Sequence, residues 1–207
     1  MIQNKALELS MFLSLPASVA LLISSEEIIS ALFGYGSFSQ EAVYNSSRAL
    51  YFFSLGLPAF ALIKVFSSFF FANHDTKTPF YISLVSIILN IIISIYYFRI
   101  IGFIIIPIAT TISSWFNSIM LFIFLKNKNL FTFNNKFIIN FFKIIFASLV
   151  MGVFFKYLIQ ILQHQLSYNN NLKSFYLILS VLLAFIFYLL ISFFIKAFNS
   201  NDLKLKY

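Results

Sequence analysis

Long uninterrupted runs of apolar residues dominate the chain, and short polar stretches separate them. A helix needs about 20 apolar residues to cross a hydrocarbon core of ~30 Å, and the sequence contains six such runs. They are residues 9–25, 46–72, 80–98, 103–125, 137–161 and 175–195. Membrane β-strands would alternate apolar and polar positions, but residues 87–93 read Ile-Ile-Leu-Asn-Ile-Ile-Ile. The pattern predicts an all-α integral membrane protein with six transmembrane helices.

Composition supports this class and excludes several chemistries. Hydrophobic residues make up 61% of the 207, and charged residues only 10%, whereas soluble domains are roughly 45–50% apolar. The chain has no cysteine, so disulfides and thiolate metal sites are excluded. His74 and His164 lie far apart in sequence, and no further metal ligands stand near His74 and Asp75. We expect no metal site, no cofactor and no catalytic residues.

The basic residues predict the orientation of the spans. If the first residue is inside, eight lysines fall in inside segments and only Arg48, Arg99 and Lys173 fall outside. The inside set is Lys5, Lys77, Lys126, Lys128, Lys136, Lys196, Lys204 and Lys206. The positive-inside rule then places both termini in the cytoplasm. The net charge of +8 suits anionic lipid head groups, and no nucleic-acid partner is expected.

Lys64 is the most unusual charged residue, because it stands inside the second apolar run. A charged side chain near the bilayer centre costs about 2.5–3.5 kcal/mol, so such residues normally face a bundle interior or a watery cavity. Lys64 lies eight residues before Ala72, or roughly 12 Å from the predicted cytoplasmic end. A long lysine stem could instead reach towards the head groups, which is the alternative without function.

Helical spacing gives Lys64 small or polar neighbours. Ser54, Ala61, Lys64 and Ser68 fall along one stripe of the second span. Such a stripe is typical of a cavity wall, and a cation on it suits an anionic ligand. Arg48, near the outer end of the same span, is a further candidate, although interfacial arginines usually anchor helices in head groups.

The polar turn after this span is a candidate gate at the cytoplasmic mouth of the cavity. It comprises Asp75, Thr76, Lys77, Thr78 and Pro79. We expect Thr78 to cap the next helix, with Pro79 at the first helical position, where its missing N–H costs nothing.

Prolines also stand inside the spans. Pro16 and Pro58 each remove one helical N–H, which frees a carbonyl and bends the helix, and Pro107 stands early in the fourth span. Transporters use such bends to line cavities or to hinge.

Three segments carry a resemblance to a known family. GLPAFALIKVFSSFFFANHDTKTP (56–79), LFGYGSFS (32–39) and ALELSMFLSLPASVALL (6–22) resemble, in order and spacing, segments of the MurJ (MviN) lipid II flippases. The D-T-x-T-P corner is the most specific of these features. The likeness is strong over residues 6–79 and rests on hydropathy and loop position afterwards.

The resemblance implies a fold and its division. Family members have fourteen spans, arranged as two six-helix lobes of the multidrug/oligosaccharidyl-lipid/polysaccharide (MOP) exporter fold plus two extra helices. The six spans resemble the last six of these. Residues 1–126 would be four spans of the carboxy-terminal lobe, and residues 127–207 the two additional helices with a cytoplasmic tail. The last two spans resemble the pair that forms a groove for a polyprenyl tail.

The resemblance also implies a function. The complete transporter would move undecaprenyl-pyrophosphate-linked disaccharide-pentapeptide across the bacterial inner membrane for cell-wall synthesis, and it would not be an enzyme. Its partners would be this lipid-linked precursor, membrane lipids and an upstream chain supplying the missing helices. The family's substrate-contacting arginines and its essential acidic residue lie on those missing helices, so none is carried over here.

Other functions stay open at this stage. Another MOP-superfamily exporter would have a similar outline, but without the D-T-x-T-P corner. An inactive remnant or split-gene fragment is compatible with the same sequence. A membrane-embedded transferase would need several acidic or histidine residues at one membrane face, which His74 and Asp75 alone do not supply.

Overall fold

The computed structural model describes residues 2–132 and 134–197, with the side chain of Ile2 excepted. These residues form seven α-helices and one 3₁₀ turn. The helices are α1 (Ile2–Ile23), α2 (Ser25–Phe33), α3 (Gln40–Ala72), α4 (Lys77–Ile101), α5 (Ile105–Asn127), α6 (Asn135–Ile161) and α7 (Lys173–Phe194), and the 3₁₀ turn is Gly102–Ile104. Phe133 and the predicted tail with Lys204 and Lys206 lie outside the described residues.

Six of these helices, all except α2, are 22 to 33 residues long, enough to cross a ~30 Å core at 1.5 Å per residue. Length and apolarity select five membrane-span segments from the described residues, and one of them, Lys77–Asn127, contains both α4 and α5. The protein is therefore a multi-pass membrane protein.

Helices α4 and α5 form an antiparallel pair, so they count as two spans. The Asn90 amide donates to Thr110 Oγ1 at 3.1 Å, and the Asn117 amide donates to Ser83 Oγ at 3.4 Å. Residues later in α4 thus meet residues earlier in α5. Gly102, at φ +73°, makes the reversal between them, a conformation that glycine adopts at little cost. The prediction of six transmembrane helices is confirmed.

The predicted spans 9–25 and 46–72 leave residues 26–45 as a connection, but the structure makes part of that connection helical. It contains α2, whose first turn carries Glu26 and Glu27, where negative charge favours a helix amino terminus. Helix α3 then starts six residues before the predicted span, because the Ser39 hydroxyl accepts from the Ala42 N–H at 3.2 Å and caps it. Polar residues outside the hydrocarbon can also be helical, so they do not by themselves mark a loop.

Two apolar clusters hold the helices together. One joins α1, α6 and α7 through buried residues such as Phe12, Met151 and Phe155. The other joins α1, α3, α5 and the start of α6 around Phe70 and Leu121. Helix α4 contributes only Ile82 to these clusters and exposes most of its apolar side chains, so it forms one edge of the bundle.

The two prolines inside helices have their freed carbonyls satisfied by neighbouring helices. Pro58 removes the N–H that would bond the Ser54 carbonyl, and the Ser18 hydroxyl of α1 donates to that oxygen at 2.6 Å. Pro16 likewise frees the Phe12 carbonyl, which accepts from the Tyr188 hydroxyl of α7 at 2.8 Å. The predicted loss of helical hydrogen bonds is thus compensated by contacts between helices.

Candidate functional site

A groove of about 420 Å³ lies between α3, α4 and α5, within the membrane-spanning part of the bundle, and its open surface is mostly apolar. Seven of its ten lining residues carry hydroxyl or amide groups. The lining residues are Phe60, Ile63, Ser83, Ser86, Ile87, Asn90, Thr110, Ser113, Ser114 and Asn117. Polar side chains are rare inside membrane spans and normally face protein or water there.

Two asparagines organise this groove. Asn90 donates to Ser113 Oγ at 3.3 Å as well as to Thr110. Asn117 donates to Ser83, but its own Oδ1 is buried and has no hydrogen-bond partner among the described residues. An acceptor left unpaired costs about 1–3 kcal/mol. The buried Asn117 oxygen is therefore a polar group that the packing of α4 and α5 leaves unsatisfied.

The sequence did not single out these groove residues, although one signal was present. Asn90 interrupts the apolar segment 87–93, and the fourth span contains Thr110, Ser113, Ser114 and Asn117 at helical spacing. A stripe of hydroxyl and amide groups in a span predicts contact with another polar surface.

Lys64 lies on the exposed surface of α3 beside the groove. Phe60, one turn earlier, and the adjacent Ile63 line the groove, but Lys64 itself is not among the lining residues. Ser68 is also exposed, and its hydroxyl donates to the Lys64 carbonyl at 2.9 Å. Ala61 is half-buried. These three residues form a continuous flank next to the groove.

Ser54 does not join that flank. It is 2% exposed, its hydroxyl donates to the Tyr51 carbonyl at 2.6 Å, and its carbonyl receives Ser18 of α1. Arg48 is exposed near the start of α3, with its guanidinium 5.7 Å from the centre of the Tyr44 ring, so the structure does not bring it to the groove.

The turn between α3 and α4 forms a hydrogen-bonded corner, but its cap differs from the prediction. The side chain of Asp75, not that of Thr78, caps α4 by accepting from the Thr78 N–H at 3.0 Å and from the Thr78 hydroxyl at 2.7 Å. Thr78 is not the cap, because α4 already begins at Lys77 and Thr78 lies within its first turn. Thr76 and Lys77 are exposed, and Pro79 is buried in the first turn of α4.

Lys128, just after α5, completes this corner. Its ammonium lies 2.5 Å from the Asp75 carboxylate and 2.9 Å from Thr78 Oγ1. The Lys128 ammonium, helped by the Thr78 N–H and hydroxyl, holds the pKa of Asp75 well below its usual range. The predicted topology places Asp75 and Lys128 on the same side of the membrane, but nothing in the sequence pairs them.

At the opposite end of α3, a buried lysine holds the segment LFGYGSFS. Lys173 is 1% exposed and donates to the Gly34 carbonyl at 2.6 Å and to the Tyr168 carbonyl at 2.8 Å. Its nitrogen also lies 4.3 Å and 4.6 Å from the ring centres of Tyr35 and Tyr168, which favours the charge. From the sequence, Lys173 is predicted only as a basic residue on the outer side, between the last two spans.

The comparisons with known proteins agree with this architecture. The family described as "Lipid II flippase MurJ" matches residues 1–177. A Thermotoga maritima (strain ATCC 43589) protein named "Probable lipid II flippase MurJ" is 36% identical over 174 residues, which are 82% of this chain and 33% of that protein. A Rhizobium meliloti (strain 1021) protein of the same name is 39% identical over 121 residues, 58% of this chain and 23% of that protein.

A solved structure shows the same fold. "Lipid II flippase MurJ, inward closed conformation" superposes with a TM-score of 0.76 at 27% identity, over 94% of this chain and 38% of that chain. The expected fold, part of a MOP-superfamily exporter, is confirmed. The chain spans about a quarter to a third of the length of these curated relatives. Because the family match extends over most of the sequence, the chain belongs to the MurJ lipid II flippase family.

Proposed function

We propose that this chain is the carboxy-terminal part of a flippase that moves lipid II across the bacterial inner membrane. Lipid II is undecaprenyl-pyrophosphate-linked disaccharide-pentapeptide, a precursor of the cell wall. The family match over residues 1–177 carries this proposal. The hydroxyl and amide residues that line the groove of α3, α4 and α5 support it, because a sugar and pyrophosphate head group must be sheltered from hydrocarbon while it crosses.

Lys64 is the residue that we propose to face the head group. Its ammonium is exposed next to the groove, and a cation at this depth would stabilise a pyrophosphate. Ala61 and Ser68 extend the same flank. Ser54 and Arg48 are also predicted as cavity residues, but they have less support. Ser54 is buried against α1, and Arg48 lies near the start of α3, far along the helix from Lys64.

The turn from Asp75 to Pro79 would act as the cytoplasmic gate. Its support is the corner that Asp75, Thr78 and Lys128 form between two span ends. With this turn facing the cytoplasm, both termini would also lie in the cytoplasm. This placement is supported by contacts that bring the start of α1 to the same end, where the Gln3 amide donates to the Leu130 carbonyl at 3.2 Å.

The two carboxy-terminal helices, within residues 127–207, would hold the lipid tail, and residues 1–126 would belong to the transport lobe. An apolar groove of about 350 Å³ lies between α1, α6 and α7, with Leu13, Met151 and Phe185 in its walls. Its lining suits a hydrocarbon chain, whereas the groove beside Lys64 suits the head group.

An upstream chain would supply the missing helices. The exposed edge of α4 supports this, because its apolar side chains are open to further contacts. The second candidate is an inactive remnant or split-gene fragment.

A reconstitution experiment tests the proposal. The chain is co-reconstituted in vesicles with the amino-terminal eight spans of a relative, and exchange of labelled lipid II between leaflets is measured. We expect exchange only when both parts are present, and a loss of most of it in Lys64→Ala. Lys156→Ala, on the exposed face of α6, is the matched control.

Each outcome has a clear meaning. No exchange with both parts correctly assembled would favour the remnant. Exchange of other lipid-linked saccharides, but not of lipid II, would favour a different exporter of the superfamily. Normal exchange in Lys64→Ala would remove Lys64 from the mechanism.

A further inference from the structure

A second polar pocket, of about 410 Å³, lies at the Lys173 end of the bundle. Three elements form it: α2, the start of α3 and the segment between α6 and α7. The lining residues are Glu26, Glu27, Ser30, Gln40, Val43, Gln163, Leu166, Ser167 and Tyr168. None of them lines the groove next to Lys64, so the pocket is separate from the proposed transport site.

Helix α2 presents three polar side chains to this pocket from one face. Ser30 follows Glu26 by four residues and Glu27 by three, which places all three on the same side of the helix. Two carboxylates in a first turn also have an ordinary explanation, since they complement the helix dipole. That explanation does not account for the unpaired hydroxyl of Ser30.

Ser30 is the observation that points to a ligand. It is 6% exposed, it lines the pocket, and its buried hydroxyl has no hydrogen-bond partner among the described residues. A buried hydroxyl is normally paired, and leaving it unpaired is costly. A polar group bound in the pocket would supply the missing partner.

The charge of the pocket indicates what that group is. No basic residue lines it. The ammonium of Lys173, which contacts Tyr168, donates to the Gly34 and Tyr168 carbonyls instead. Burial, together with the neighbouring carboxylate of Glu26, raises the pKa of Glu27. A cation in the pocket would relieve that cost.

We propose that this pocket binds a primary alkylammonium group. Glu26 and Glu27 would accept two of its three hydrogen bonds, and the Ser30 hydroxyl would accept the third. A divalent metal fits less well, because both carboxylates come from adjacent positions of one helix and no group of three His, Asp or Glu side chains occurs among the described residues. A guanidinium prefers a single carboxylate facing it in one plane.

The alkylammonium group has two possible sources. One is a free diamine in the aqueous phase. The other is an amino group on the peptide of a lipid-linked precursor, and this second source rests on the proposed function. The experiment separates them by using 1,5-diaminopentane for the first and an Nα-acetyl-lysyl dipeptide amide for the second.

Binding to the purified full chain in detergent micelles is measured by isothermal titration calorimetry. We expect saturable binding of at least one of the two amine probes. The same probe should not bind once all of its amino groups are acetylated. Glu27→Gln should weaken binding about 10-fold or more, since a charge-assisted hydrogen bond is lost. Ser30→Ala should weaken it less. Glu41→Gln is the matched control, because Glu41 stands in the first turn of α3 but outside the pocket.

The results decide between the sources and can overturn the proposal. Binding of the diamine supports a free amine, and binding of the dipeptide alone supports the peptide source. Binding of neither, equal binding of the acetylated probe, or equal weakening by Glu41→Gln would overturn the site. Saturable Mg²⁺ binding with the same dependence on Glu27, without amine binding, would also overturn it. Because this assay needs no transport, its failure leaves the proposed function untouched.

Thermal unfolding of each variant checks that a loss of binding is not a loss of fold. Glu26→Gln provides a second test at an exposed position, where a change of charge disturbs packing least. If Glu27→Gln unfolds, Glu26→Gln must still weaken binding for the proposal to hold.

Discussion

The Tyr188 hydroxyl donates to the Phe12 carbonyl at 2.8 Å, the same carbonyl that Pro16 leaves without a helical partner. Tyr188 is completely buried, so this bond joins α7 to α1 in a place without water. Ser18 does the same for the carbonyl that Pro58 frees in α3. In both cases a proline in one helix frees the acceptor that a neighbouring helix uses.

We expect Tyr188→Phe to destabilise the protein by about 1 kcal/mol, the size of a hydrogen bond between membrane helices. The loss should shrink in a Pro16→Ala background, because the restored N–H of residue 16 pairs the Phe12 carbonyl. Reversible unfolding in mixed micelles measures both. Tyr157→Phe, at an exposed position on α6, is the control, and an equal cost of Tyr188→Phe in the two backgrounds would contradict the explanation.

The buried ammonium of Lys173 should be essential for the packing of the segment LFGYGSFS. Lys173→Met keeps most of the volume but leaves the Gly34 and Tyr168 carbonyls without their donor. We expect a loss of about 2 kcal/mol or more. Hydrogen exchange at residues 34–39 should accelerate. Lys156→Met, on the exposed face of α6, should change neither quantity, and unchanged exchange in Lys173→Met would show that the segment is held by other contacts.

The sequence predicted the spans well, because a run of apolar residues must be helical in lipid whatever its side chains prefer. The ends of the runs were less accurate, as the polar helix start at Gln40 shows. Helix α2 was missed since nine residues with two glutamates read as a loop. Length and hydropathy describe the hydrocarbon region, and they say little about helices at its boundary.

The candidate site was predicted only in part. Lys64 stood out because a charge is conspicuous in an apolar run, whereas the partners of Asp75 and Lys173 come from residues 53 and 139 positions away along the chain. Such pairs depend on how the helices pack, which one sequence does not contain. The hydroxyl-rich stripe of α5 was visible in the sequence, but its meaning required the neighbouring Asn90.

The corner between Asp75 and Lys128 should make stability depend on pH. The folded-state pKa of Asp75 lies below its unfolded value, which is about 3.9. The stabilisation is therefore complete above the unfolded pKa and is lost as pH falls through the folded pKa. We expect the difference in unfolding midpoint between the wild type and Asp75→Asn to be largest near pH 7 and to decrease below about pH 4.

Two controls test that interpretation. Lys128→Met should remove most of the pH dependence, because the Lys128 ammonium is the largest cause of the shift. Added salt should weaken the effect, since the side chains of Lys128 and Asp75 are 44% and 20% exposed. A difference between wild type and Asp75→Asn that stays constant from pH 7 to pH 3 would contradict the assignment.

The position of Lys64 can be tested by chemical labelling, because the natural chain contains no cysteine. Lys64→Cys introduces a single thiol eight residues before the end of α3 at Ala72. Unlike lysine, the short cysteine side chain cannot reach the head groups from roughly 12 Å.

A water-soluble maleimide should therefore label it only if water enters beside the groove, since thiolate formation needs a polar environment. Val153→Cys is the control, because it also lies eight residues before the end of its helix, α6 at Ile161, and is 74% exposed. We expect rapid labelling of Lys64→Cys in the complete transporter, slow labelling of Val153→Cys, and protection of Lys64→Cys by lipid II. Equal and slow labelling of both positions would place Lys64 against lipid, and its charge would then be explained by its long stem alone.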